Sequence, residues 1–188
     1  MELAIFYSER FGFAVVDMAG HTPVGLSRLP WLGKEASTQM KTFFSNDKNK
    51  TVDAKLLVGQ VIVLVAKVKP KASKFIVDLC YADKYRDKPL HFNPRYGEYI
   101  GQTWSNKPRI VYSSKKGGAW RDHSGRNVDL PRGSAFKLTI HLIKDRFNVY
   151  LNNTLVLDLE YMDGPLTPGK IRTVEVYNDV EVMKLLVP

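Results

Sequence analysis

The 188 residues, 44% hydrophobic and 11% aromatic, suit one globular domain with room for an extension and exclude a disordered or fibrous chain. The net charge of +9 favours anionic partners such as sulfated glycans, acidic surfaces or nucleic acid, weighed against the plainer reading of a solvated basic surface. No apolar run approaches the roughly 18 residues of a membrane span, and the single cysteine, Cys80, excludes an internal disulfide and a cysteine-based zinc site.

At the N-terminus, "MELAIFYSERFGFAVV" places Glu2, Glu9 and Arg10 where a signal peptide would need a basic start and an unbroken apolar stretch. The chain reads as leaderless, which points to the cytoplasm, with leaderless secretion as the route to any extracellular site. The next segment, "HTPVGLSRLPWLGKEASTQ", is rich in turn residues, and "SNDKNK" supplies a polar linker. A boundary near residue 50 follows, with residues 1–50 as an extension and 51–188 as the main domain. Composition leaves the extension open as a strap, a hairpin or a mobile arm. The sequons at Asn49 and Asn152 read as unmodified in a leaderless chain.

From residue 59 onward, short β-rich runs alternate with turn chemistry. The runs are "GQVIVLVAKV", "KFIVDLCYA", "PLHFNPRY", "RIVYSS", "AFKLTIHLIK", "FNVYLNN", "TLVLDLEY" and "IRTVEVYNDVEVMKLLV". Between them lie "KPKAS", "KKGG", "LPRGS", "KDR", "NN" and "DGPLTPG". Many short strands at this spacing predict an all-β fold, an antiparallel sandwich or barrel with alternate residues facing core and solvent. Cys80 falls inside such a run and is expected to be buried.

Within "KPLHFNPRYGEYIG", His91, Asn93 and Arg95 alternate with Phe92 and Pro94, so the three hydrogen-bonding side chains share one strand face. Pro94 cannot donate to a sheet ladder, which marks the strand as locally special. Beyond "RIVYSS" and a glycine turn comes Trp120, where an antiparallel strand would begin. A tryptophan beside His, Asn and Arg suits a neutral sugar, whose C–H face lies on indole while polar groups meet its hydroxyls. The plainer reading of Trp120 is a core aromatic, and that of the three polar residues is a solvated sheet face.

These segments resemble the galectins, the β-galactoside-binding lectins, from about Thr51 to Pro188. "LLVGQVIVLVAKV" is similar to the opening strands of that family, and "HFNPRY" to its most diagnostic segment. "IVYSSKKGGAW" resembles the strand, turn and tryptophan that follow, and "FNVYLNNTLVLDLEY" and "TVEVYNDVEVMKL" the closing strands. The resemblance implies a two-sheet, jelly-roll-like β-sandwich that binds galactose-containing glycans on its concave sheet. His91 would hydrogen-bond the axial O4 of galactose, Arg95 would bridge O4 and the ring oxygen, Asn93 would support the hydroxyl network, and Trp120 would stack. It also implies edge strands that pair in a homodimer unless the extension covers them.

Three positions depart from the family pattern. Ser113 stands where the family carries an asparagine for the galactose O6 hydroxyl, His123 where it carries a glutamate, and Gly125 where it carries an arginine, with Arg126 one step away. Weakened lactose binding is the expectation. The connection "YGEYIGQTWSNKPR" is longer than usual and offers Glu98 as a replacement carboxylate and Trp104 as a second aromatic contact, against the plainer reading of a surface loop.

No sequence pattern for catalysis occurs: there is no G-x-S-x-G, P-loop, G-x-G-x-x-G or H-E-x-x-H. His21, His91, His123 and His141 lack metal-ligand spacing, so neither a metal nor another cofactor is expected. The expected function is glycan binding without catalysis. The alternative is a galectin-fold module that has lost ordinary β-galactoside binding and holds a protein or an anionic polymer on its basic surface.

Overall fold

Alternation along the strands sorts core from face, as a period of two requires. In the computed structural model, β6 (Phe75–Tyr81) commits Phe75, Val77, Leu79 and Tyr81 to the core, which turns Ile76, Asp78 and Cys80 the other way. In β7 (Lys88–Arg95), Leu90 and Phe92 are core residues, leaving His91, Asn93 and Arg95 on the opposite face. The structure describes residues 3–8, 12–17, 41–43, 50–83, 86–100, 103–121, 124–161 and 169–188.

The chain divides into two compact units, Met1–Lys41 and Thr42–Pro188. In the first, β1 (Leu3–Ser8) and β2 (Gly12–Asp17) form an antiparallel hairpin with Leu3 opposite Asp17 and Ser8 opposite Gly12. The second is a sandwich of two sheets. One runs β11 (Ala119–Trp120), β10 (Arg109–Lys116), β7, β6, β16 (Ile171–Asn178), β4 (Lys50–Asp53), and β12 (Ser124–Asn127) also pairs with β10. The other runs β15 (Thr154–Glu160), β14 (Arg146–Leu151), β13 (Ala135–Leu142), β5 (Val61–Val68), β17 (Val180–Val187), β3 (Lys41–Phe43). The expected all-β sandwich is thus the architecture that forms, with no helix among the described residues. Phe75 of the first sheet stacks on Phe136 of the second at 5.2 Å between ring centroids, one of the contacts that join the two layers.

Two segments are organised differently from their sequence reading. The long run "IRTVEVYNDVEVMKLLV" breaks into β16 and β17, which lie in different sheets. Asn178 adopts a φ of 75°, a left-handed conformation that asparagine tolerates. The Asp179 carboxylate then accepts from the Ser73 amide at 2.8 Å and the Ser73 hydroxyl at 3.0 Å, which fixes the crossing. The connection after Arg95 is a two-stranded ribbon, β8 (Glu98–Ile100) against β9 (Thr103–Ser105).

Candidate functional site

Asp78 organises the polar face. It lies within an apolar strand with no solvent exposure, and β6 pairing sets it directly opposite His91. Its Oδ1 is 2.6 Å from His91 Nδ1. Its Oδ2 accepts from the Tyr177 hydroxyl at 2.7 Å and from the Lys88 ammonium. Burial alone would raise the Asp78 carboxyl pKa, but the hydrogen bonds and charges of His91 and Lys88 outweigh it and hold the group below its ordinary value. Lys88 responds in the opposite sense: burial pulls its ammonium down, and the bond and charge of Asp78 carry it above the ordinary lysine value. Burial, followed by the Asp78 charge, pushes the Tyr177 phenol upward.

An ionised carboxylate only accepts, so His91 Nδ1 is the donor and, in the neutral ring, Nε2 is the acceptor. Asn93 Nδ2 lies 3.3 Å from that Nε2, which assigns the amide its orientation. Asn93 Oδ1 is thereby turned out of the pair. It is buried, on a residue 3% exposed, with no protein partner among the described residues. A chain of donors thus runs Asn93 to His91 to Asp78 and ends in an unmatched acceptor on the sheet face. Such an acceptor costs about 1 to 3 kcal/mol until a donor arrives.

Trp120 closes the other side. Lys116 pairs with Ala119 across the two-residue turn Gly117-Gly118, both at positive φ (60° and 85°), the geometry of a type I′ hairpin. Asp87, itself buried, accepts from the Gly117 amide at 2.8 Å and the Gly118 amide at 3.2 Å and so latches this turn to the start of β7. The turn delivers Trp120 opposite Lys115, and its ring meets His91 edge-on at 4.8 Å between centroids. At 53% exposure, Trp120 is not a core aromatic.

The remaining expected residues divide. Ser113 sits opposite His91, but its buried hydroxyl donates to the Arg121 carbonyl at 2.9 Å, so it braces the return from the turn. Arg95 lies at the end of the polar row, opposite Arg109. Arg126 turns away: its register partner Ile110 is a core residue, and its guanidinium donates to the Val156 carbonyl of the other sheet at 3.0 Å. Glu98 pairs with Ser105 and Trp104 with Tyr99 in the β8–β9 ribbon, while the side-chain roles expected of Glu98 and Trp104 lie outside what the structure describes. His123 lies outside the described residues.

Sequence reasoning passed over Asp78, Lys88 and Tyr177. The available signal was a lone aspartate inside "FIVDLCYA", which periodicity places on the same face as His91 once the two strands are paired. Beside this network a shallow cavity of about 520 Å³ is lined by Lys50, Arg86, Lys88, Lys115, Glu175 and Tyr177, among others. Glu175 pairs with Arg86 and lies 3.7 Å from Lys88. No group of three or more His, Cys, Asp or Glu suited to a metal ion occurs among the described residues, and no helix there is long and apolar enough to cross a membrane. Cys80 is buried, and burial followed by the Glu175 charge pushes its thiol up to about 11, which leaves it unreactive.

The sequence profile of the galactoside-binding lectins matches residues 48–187. No curated protein matches the chain in sequence. Among solved structures, Caenorhabditis elegans galectin LEC-6 is similar at 19% identity and a TM-score of 0.63, over 78% of this chain and 95% of that one. Sheep galectin-11, solved in complex with glycerol, is similar at 17% identity and a TM-score of 0.60, over 75% and 98%. A variant of human galectin-16 is similar at 19% identity and a TM-score of 0.63, over 77% and 97%. At such identities the structures speak for the fold, and the profile carries the kinship: the chain belongs to the galactoside-binding lectin family.

Proposed function

We propose that the chain is a lectin that binds β-galactosides on the β11–β10–β7–β6 face and carries out no catalysis. The observation that carries this reading is the unmatched Asn93 Oδ1, held in place by Asp78 and His91 beside an exposed indole. His91 Nε2 exchanges its long 3.3 Å contact with the Asn93 amide for the axial O4 hydroxyl of galactose, Arg95 reaches O4 and the ring oxygen, Asn93 Oδ1 accepts from a neighbouring hydroxyl, and Trp120 receives the apolar face of the ring. Glucose, with an equatorial O4, leaves these groups unmatched at about 1 to 3 kcal/mol each. Ser113 contributes little to the ligand because its hydroxyl is already committed to Arg121, so lactose affinity is weaker than a longer amide at that position would give. In cellular terms the reading is a cytoplasmic lectin, with residues 1–50 as an extension to the sugar-binding domain.

A glycan array with competition by lactose and by cellobiose tests it. Galactosides should bind and lactose should compete, whereas silence on every galactoside or equal competition by cellobiose would sink the reading.

The cavity edged by Lys50, Arg86, Lys88 and Lys115 favours a second reading, an anionic-polymer surface on the same fold. Retention on heparin and not on a lactosyl column, abolished near roughly 0.5 M salt as screening demands, would replace the first reading by this one.

A further inference from the structure

We infer that Arg109 is a specificity-determining residue of this face, the contact for the saccharide next to galactose, and that Gly125 is the position that lets it reach there. The inference rests on the galactoside reading above and goes beyond it by naming the group that distinguishes a disaccharide from a monosaccharide.

Pairing places Arg109 opposite Arg95 on one side and Asn127 on the other, while Gly125 lies one row nearer the centre, opposite Val111 and so in the same row as Asn93, with β10 between them. The guanidinium of Arg109 does not stay in its own row. It lies across Gly125: a Cβ on that glycine would meet Arg109 Nε at 2.6 Å, one terminal nitrogen at 2.8 Å and the central carbon at 2.9 Å. The same side chain donates to the Gly125 carbonyl at 3.4 Å.

Any residue other than glycine would evict the guanidinium, so the missing side chain creates its seat. The consequence is a planar, multi-donor group lying flat on β12, on the strand face that β7 uses for His91, Asn93 and Arg95. Arg126, the arginine adjacent to Gly125 in sequence, cannot serve here because it is bound to Val156 of the other sheet. A saccharide bound with its galactose between His91 and Trp120 and extending along this face toward Arg95 meets Arg109 with its second ring. The forked donors suit the vicinal hydroxyls of that ring, which present paired acceptors.

The test is titration, followed by NMR, of the full chain with methyl β-galactoside and with lactose. Parent, Arg109→Ala and Gly125→Ala are compared, and melting temperatures establish that each variant is folded. Gly125 has no positive φ, and the group a new Cβ would displace is the far end of a flexible side chain, so the alanine variant is expected to fold. Methyl β-galactoside affinity should be the same in all three proteins. The advantage of lactose over the monosaccharide should fall by about tenfold in Arg109→Ala, and in the same direction in Gly125→Ala. An unchanged lactose advantage in both variants overturns the inference, as does a parent that binds the two sugars equally well, and in either case the galactose reading survives. A parent that binds neither sugar removes the galactoside reading itself and this inference with it.

Discussion

Asp78 shows how one buried charge fixes the chemistry of a whole face. Its carboxylate decides which nitrogen of His91 carries the proton, His91 decides how the Asn93 amide is turned, and the amide leaves its acceptor for a ligand. Asp78→Asn should reverse this sequence, because the introduced amide can donate to Nδ1 and Nε2 then becomes the donor. Galactoside affinity is expected to fall about tenfold or more, and leaving Lys88 with only Glu175, 3.7 Å away, should cost up to about 3 to 5 kcal/mol of stability. The pH dependence has a definite sign. A carboxyl held below its unfolded value contributes stability above about pH 3.9, and that contribution is lost as pH falls through the folded value. The stability gap between parent and variant should therefore be full at neutral pH and close in acid, and a gap independent of pH between 2 and 7, on the order of the full titration range, would contradict the assignment. Little of this was legible in the sequence. Asp78 stands alone in an apolar run, its partners Lys88 and Tyr177 lie 10 and 99 positions away, and only strand pairing joins them.

Trp120 tests stacking at the same scale. Its exposure makes it nearly irrelevant to folding, and its edge contact with His91 is worth about 0.5 to 1.5 kcal/mol. Trp120→Ala should melt close to the parent while losing about tenfold or more in galactoside affinity. A collapse in melting temperature with binding intact would return the residue to the core. The sequence alone left that choice open, because an aromatic after a glycine turn can point either way.

At the scale of elements, the turn between β10 and β11 matters more than its length suggests. Gly117 and Gly118 supply the conformation, but Asp87, the residue just before β7, supplies the anchor. Asp87→Ala removes both acceptors at once, so exchange of the Gly117 and Gly118 amides should accelerate and galactoside affinity should fall while the sandwich persists. Unchanged exchange at those two amides would mean that the glycine turn holds Trp120 unaided. The alternation of His91, Asn93 and Arg95 was readable because a strand period of two needs no tertiary context. The split of residues 171–187 into two strands was not, because Asn178 breaks the alternation of Val174, Val176, Val180 and Val182 at one position only. The effect of Asn178 and Asp179 depends on Ser73, more than a hundred positions away. The β8–β9 ribbon left a fainter trace in the short runs on either side of Gly101.

For the whole molecule, the sheet edges determine how the chain behaves in concentrated solution. The second sheet ends on β3, three residues that lie beside β17, and an uncovered β17 would present a row of unpaired backbone groups. Because the compact unit begins at Thr42, a chain starting at Lys41 keeps this cover and one starting at Lys50 loses it while keeping β4 intact. The shorter chain should self-associate as its concentration rises and melt at a lower temperature, whereas the longer one should do neither to the same degree. Both should still bind galactosides, since β3 lies in the sheet opposite His91 and Trp120. Sedimentation velocity and thermal melting of the two chains decide the matter: identical profiles would show that three residues of β3 protect nothing, and that the edge of β17 is kept from pairing by its own outward side chains, Glu181 and Lys184.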